Sequence, residues 1–462
     1  VWGGRTGVHI DRKGGIRRIE RSAFQTSAAA FGPVDPVLTE DEALDAVRAA
    51  LLGYEISGYE GGRRSKSVQG ELLWYPIDPW DVRLAWRLNL GVELGFGIPW
   101  LYRAVVDART GEMLSFVRMT RSAEEPSWLV FTGESPQPGN LSPLPSEPDT
   151  DPVSNTRRAV VVYNGDPVAS PLGWIPDGGV TTAGNNVHAF NTLFGSDDSG
   201  RAFSTDRRFH FPLDLTRSWT PTAYREASTV NLFYLSNVAH DYFYALGFDE
   251  AAGNYQADNF GRGGRGNDPV LAETLNQSEF DNAFFNPSID GLPPSLVMMV
   301  WTRSLPHRDS SYDAQVVFHE YTHGVSIRLV GGPDEVNVLE GYQSGGMGEG
   351  WSDFFALSMT AQPDRDVHTP VPMAAYSTNN YVKGLRRHPY TDDMSTNPVT
   401  YNWVRNSTSV HEIGEVWGSA LWDAWIELVE CYGFEAGRER MERLVLEGMA
   451  LTDPRPTFLD GR

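Results

Sequence analysis

The sequence reads as an α+β chain: a small mixed unit at the front, then a larger domain of two lobes, the first mixing strands and helix and the second mainly helical. Three observations predict this. The front of the chain carries one short capped helix among strand-like segments. The stretch 122–155 then loses hydrophobic periodicity and fills with Pro, Ser, Glu and Asp. Beyond it, apolar positions at helical spacing lengthen toward the C-terminus. At 462 residues there is material for two or three domains and a large core.

The front unit is expected over 1–121, with its core at about 36–119. Thr39 reads as the cap of a helix whose Leu, Ala and Val positions run from Ala43 to Leu52, and Glu40, Asp41 and Glu42 favour its N-terminus. Strands are expected over Gly70–Tyr75, Val82–Leu90 and Trp100–Asp107, with a turn through Asp107–Gly111 into Glu112–Met119. Residues 122–158 read as an exposed linker ending in Arg157-Arg158, a dibasic candidate processing site. The remainder, 159–462, is expected to be the catalytic domain. Its helices are placed at Ala227–Leu246, Ser311–Leu329, Glu349–Thr360, Val410–Tyr432 and Glu435–Leu451.

Composition narrows the function. A formal charge of −22 excludes nucleic acid as a partner, because phosphate binding needs clustered Lys and Arg. No apolar run is long enough to span a bilayer. Cys431 is the only cysteine, so no intrachain disulfide forms; within its apolar-periodic stretch it reads as a buried small hydrophobe. The chain begins at Val1 without an initiator Met, which reads as a fragment whose export signal, if any, lies outside it.

The chemistry is concentrated in His319-Glu320-Tyr321-Thr322-His323 and, further on, Gly348-Glu349-Gly350-Trp351-Ser352-Asp353. Two histidines one helical turn apart point the same way and can bind one ion. Glu320 between them can take a proton from a metal-bound water, and Glu349 offers an oxygen as third ligand of a zinc with one open position. Asp353, one turn after Glu349, can accept the spare ring N–H of a ligating histidine. Gly331-Gly332-Pro333 ends the first helix. The plain alternative is a helix with two surface histidines. Against it, His319, Glu320 and His323 sit in an apolar helix where unpaired burial costs several kcal/mol. Asp249, Glu250, Asp258 and Asp268 are candidate calcium ligands, with solvated acidic loops as the alternative. His240 beside Asp241 reads more as structural than catalytic.

HEYTHGVSIRLVGG at His319–Gly332 and GGMGEGWSDFFA at Gly345–Ala356 resemble the two signature blocks of the fungalysin family, secreted zinc metallopeptidases of thermolysin-like architecture. The resemblance extends to Asn231–Asp268, Thr181–Phe190, His388–Tyr401 and Val410–Trp425. It implies His319, His323 and Glu349 as zinc ligands, Glu320 as general base, and Asp353 orienting His319. It implies further that Asn282-Ala283 open the edge strand that hydrogen-bonds the substrate backbone, that His411 stabilises the oxyanion, and that Tyr342 is a further donor to it. The front unit resembles the PepSY-like propeptide that chaperones or inhibits such peptidases. The expectation is therefore a secreted, monomeric zinc endopeptidase made as a zymogen, acting on protein or peptide substrates, with the C-terminal lobe stopping short at Arg462. Other readings stay open: a propeptide-bound binding module, a zinc hydrolase of non-peptide esters or amides, and a structural zinc site, which lacks a fourth His or Cys at suitable spacing.

Overall fold

A computed structural model describes residues 5–10, 16–22, 35–51, 55–60, 63–65, 68, 70–76, 82–93, 100–118, 125–136, 158–194, 198–213, 215, 221–305 and 307–462. It is a mixed α/β chain of two compact units, Val1–Ala123 with Phe260–Arg262, and Glu124–Asn259 with Gly263–Arg462.

In the first unit, β1 (Arg5–Ile10) and β2 (Ile16–Ser22) form an antiparallel hairpin. Thr39 caps α1 (Glu40–Ala50) reciprocally: its hydroxyl accepts from the Glu42 N–H, and the Glu42 carboxylate accepts from the Thr39 N–H. There follow β3 (Glu55–Glu60), β4 (Arg63–Ser65), β5 (Gly70–Pro76), β6 (Val82–Glu93), β7 (Trp100–Asp107) and β8 (Met113–Arg118). They form one antiparallel sheet in the order β4-β3-β6-β7-β8, with β5 also on β6. Leu88 and Leu90, and Tyr102, Ala104 and Val106, recur every second residue, so each set lies on one sheet face. There they join Ala43, Leu44 and Val47 of α1 in one apolar cluster.

The second unit opens with β9 (Ser127–Val130) and β10 (Ala159–Val162), followed by β11 (Val187–Asn191) and β12 (Arg208–Phe209). β9 is the middle strand between β10 and β12. Trp128, Val130 and Phe131 are fully buried, and Trp128 stacks on Phe209 at 4.6 Å. The expectation of an exposed linker from 122 is corrected here: four residues are too few for periodicity to show against polar flanks. Arg158 is not a free arginine either. Its guanidinium donates to the Leu129 carbonyl at 2.6 Å and the Phe211 carbonyl at 3.1 Å. Arg157, and 137–157 generally, lie outside the described residues.

A second sheet joins β11, β13 (Val270–Asn276), β14 (Ala283–Asn286) and β15 (Ser295–Trp301) in the order β11-β13-β15-β14, with β16 (Arg308–Asp309) also on β15. β11, β13 and β15 run parallel; β14 is antiparallel and lies at the end of that order. The long helix α2 (Pro221–Leu246) packs on β11 and β13 and starts six residues before its predicted Ala227. The rest is mainly helical: α3 (Ala314–Leu329), α4 (Tyr342–Thr360), α5 (Ala375–Thr378), α6 (Tyr401–Val404), α7 (Val410–Tyr432) and α8 (Phe434–Ala450). One continuous core includes Trp128, α2, the second sheet and α3, α4, α7 and α8.

Two further expectations are corrected. α4 begins at Tyr342 rather than near Glu349, so the glycine-rich run before Glu349 is helical. Its glycines serve close packing: a Cβ at Gly350 would lie 2.8 Å from the Gly414 carbonyl oxygen and the Gly418 nitrogen of α7. Cys431 is exposed, because the buried stripe of α7 runs through Trp422, Trp425, Ile426 and Val429 and leaves it outside.

Candidate metal centre

α3 ends where Gly331 takes φ 74°, and its middle carries the two histidines into the interior. The Nε2 atoms of His319 and His323 are 3.1 Å apart, with the rings nearly perpendicular at 87°. α4 lies alongside and brings Glu349 to them: Oε2 is 3.5 Å from His319 Nε2, and Oε1 is 3.6 Å from His323 Nε2. Ligands held about 2.0–2.1 Å from a tetrahedral zinc are roughly 3.4 Å from each other. The three separations lie near that value, with one Glu349 oxygen facing each histidine. Glu320 is within reach of the same ion as the two histidines.

Asp353, one turn after Glu349 and fully buried, places Oδ1 2.8 Å from His319 Nδ1. The same carboxylate is gripped by Arg386, whose Nε and Nη2 each donate at 2.7 Å, and by the Tyr390 hydroxyl. Arg386 also donates to Glu349 Oε2 at 3.2 Å. Arg386 and Tyr390 were not singled out from the sequence. The available signal was physical: two carboxylates on one buried helix face need a counter-cation, but its position in a distant loop cannot be read from spacing.

The charges do not balance among side chains alone. Glu320, Glu349 and Asp353 face the Arg386 guanidinium, a deficit of about two charges that a divalent cation would supply. Burial pushes Glu320 up to about 7, opposed by the neighbouring His319. Although burial opposes its charge, hydrogen bonds to Asp353 and Glu349 raise His319 to about 10. Burial lowers His323 to about 4. Against burial, the His319 hydrogen bond holds Glu349 well below the carboxylate range, and the Arg386 charge does the same for Asp353.

The structure brings some of the other candidates to this centre and leaves others away. His411, in the first turn of α7, has Nε2 3.6 Å from Glu349 Oε2 with a largely exposed side chain. Ala283 starts β14 and Asn282 immediately precedes it, with the Asn282 amide donating to Glu279 at 3.2 Å. The Phe285 backbone N–H of the same strand donates to Glu320. Tyr342 is exposed and lies seven residues before Glu349 on α4, roughly 10 Å along the axis. No described contact joins it to the metal triangle. His240 is buried on α2 against Asp241, with Nδ1 2.9 Å from Oδ1, and no described contact joins it to the metal triangle. The four acidic residues singled out for calcium form no metal-binding group among the described residues. Asp249 caps a short turn, Glu250 accepts from the Tyr244 hydroxyl, and Asp268 is paired with Arg328.

A sheet, a core helix carrying HExxH and a second helix supplying a carboxylate define the class: a metallopeptidase-type centre built between α3 and α4. The sequence profile of the fungalysin metallopeptidases (M36) matches residues 146–462, and the chain belongs to that family. It is 35% identical over 413 residues to an extracellular metalloproteinase of Aspergillus fumigatus, covering 85% of this chain and 61% of the relative. An extracellular metalloproteinase 5 of Arthroderma benhamiae is likewise 35% identical, at 85% and 62%. An Aspergillus terreus extracellular metalloproteinase is 34% identical over 493 residues, 98% of this chain and 74% of the relative. The chain thus spans about three fifths of the length of the first two. Among the described residues no helix is long and apolar enough to cross a membrane.

Proposed function

We propose that the chain is a secreted zinc-dependent endopeptidase of thermolysin-like two-lobed layout, made as a zymogen with residues 1–121 as its propeptide. The observation that carries the reading is the His319, His323 and Glu349 triangle with Glu320 beside it. When bound there, zinc would acidify a water and polarise a carbonyl. Glu320, already pushed toward neutrality by burial, accepts the proton of the attacking water and passes it to the leaving amine. His411, beside Glu349 and open to solvent, donates to the developing oxyanion. Asp353, locked by Arg386 and Tyr390, holds His319 in the orientation that presents Nε2. β14 offers a strand to which an extended peptide can add. The names of the relatives support protein substrates and an extracellular setting.

Release of the front unit fits a cut upstream of Ser127 better than one at Arg158. β9 is core to the second unit, and Arg158 would have to leave two carbonyls before a protease could hold it.

The test is casein hydrolysis before and after limited proteolysis, with zinc determined and Glu320→Gln alongside. Activity that needs about one zinc, appears on processing and vanishes in the variant supports the reading. Tightly bound zinc without hydrolysis in any form sinks it and favours a binding module.

A further inference from the structure

Below the metal histidines, in the last turn of α3, Arg328 is fully buried and surrounded by oxygen. Its Nε donates to the Ser288 carbonyl at 2.9 Å, and Nη1 donates to the Gly253 carbonyl at 2.8 Å. Asp268 Oδ2 lies 3.1 Å from Nη2, and Asp290 Oδ1 lies 3.4 Å from Nη1. The guanidinium carbon sits 4.4 Å over the Tyr255 ring, whose hydroxyl donates to the Gly324 carbonyl in α3. The carboxylates are held in turn by backbone: Asp268 accepts from Gln256 and Gly291 N–H, and Asp290 from Arg265 N–H. Two carboxylates and two carbonyls converging from three loops are oxygen donors of the kind calcium takes, four where the ion holds six to eight. Here the charge is covalently attached to the metal helix.

Ser288 follows β14 by two residues, and the Phe285 ring of that strand packs where a Cβ on Gly324 would come within 2.6 Å of it. The strand is therefore tied to α3 at both levels, by Phe285 on Gly324 and by Arg328 on Ser288.

We infer that Arg328 is a built-in cation that replaces calcium and sets the position of the edge strand β14 along the metal helix, acting as a positioning residue for substrate. The inference rests on the peptidase reading for its substrate arm only. Losing the guanidinium leaves two buried carboxylates without it in a hole lined by oxygen, a place that the guanidinium fills in the native chain.

The experiment uses the full chain, Arg328→Ala and Arg328→Lys. Thermal unfolding is followed with and without millimolar calcium. Kinetics are compared for a peptide long enough to lie along β14 and one too short to reach it. The expected result is a wild type indifferent to calcium and an Arg328→Ala protein melting about 10 °C lower, partly restored by calcium. KM rises for the long peptide more than for the short one, and Arg328→Lys lies between. If Arg328→Ala does not fold, the lysine variant alone must show the lowered melting point and the length-dependent KM. Calcium stabilising wild type and Arg328→Ala alike would overturn the inference, as would equal losses on both peptides. A wild type with no peptidase activity would sink the proposed function, while the thermal arm would still decide on the built-in cation.

Discussion

Replacing Asp353 by Asn should damage the metal centre without touching any metal ligand. The carboxylate accepts from Arg386 Nε and Tyr390 on Oδ2, and faces Arg386 Nη2 and His319 Nδ1 on Oδ1. An amide of the same shape keeps one acceptor. Its NH2 must then confront two donors, whichever way it flips, and Arg386 is left buried with Glu349 as its remaining charge partner. Breaking a buried pair in this way costs about 3–5 kcal/mol, or roughly 10 °C in Tm for a domain of this size. Loss of the group that orients a ligating histidine typically weakens metal binding about 10–100-fold, and here Arg386, freed from Asp353, also competes for Glu349. Chelator competition gives the zinc affinity and calorimetry the Tm. A variant with affinity within about twofold of the parent and an unchanged Tm would refute this account of Asp353, and with it the placement of the metal on His319.

His411→Ala should lower kcat about 10²–10³-fold and leave zinc affinity unchanged, since its ring faces Glu349 from the solvent side; a parallel loss of zinc would make it a ligand instead. Zinc affinity should also depend on pH. His319 in the metal-free chain is held protonated to about 10, so the metal must displace a proton, and apparent affinity should rise about tenfold per unit between pH 7 and 9. The same raised value stabilises the metal-free fold fully below the ordinary 6.5, and that stability is lost as pH climbs through 10; a flat chelator titration would contradict both. Trp128→Ala should destabilise the second unit by about 3–5 kcal/mol, read by denaturant unfolding, although the sequence around it looks like a linker; a neutral result would remove β9 from the core.

The arrangement of the candidate metal motif was legible because its spacing is local. His319, Glu320 and His323 share one turn of helix, and the Glu349 to Asp353 spacing is one turn of another. The cap at Thr39 and the limits of α7 were legible for the same reason. What escaped depended on tertiary partners. Arg386 reaches Asp353 across 33 residues of chain, and no period connects them. The glycines around Glu349 look like turn residues to any propensity argument, and they are helical where α4 packs against α7, Gly345 and Gly346 on Val410 and Ile413 and Gly350 on Gly414 and Gly418. β9 is short and hidden in polar sequence, and its burial is decided by Phe209, Trp174 and Phe233 packing on Trp128.

That helix contact has a consequence for what the centre can hold. A Cβ on Gly414 would sit 2.4 Å from the Glu349 Cβ and 3.0 Å from the Gly346 carbonyl oxygen, so α7 backs α4 closely behind the proposed third ligand. The ligand separations are therefore a spacing between two helices, and a spacing can be retuned with one methyl group. Zinc asks for oxygen at about 2.0–2.2 Å and calcium at about 2.3–2.6 Å. Alanine at 414 would displace Glu349 relative to the histidines without altering any donor. The ion that fits would then answer to a bare glycine on α7 that carries no donor of its own.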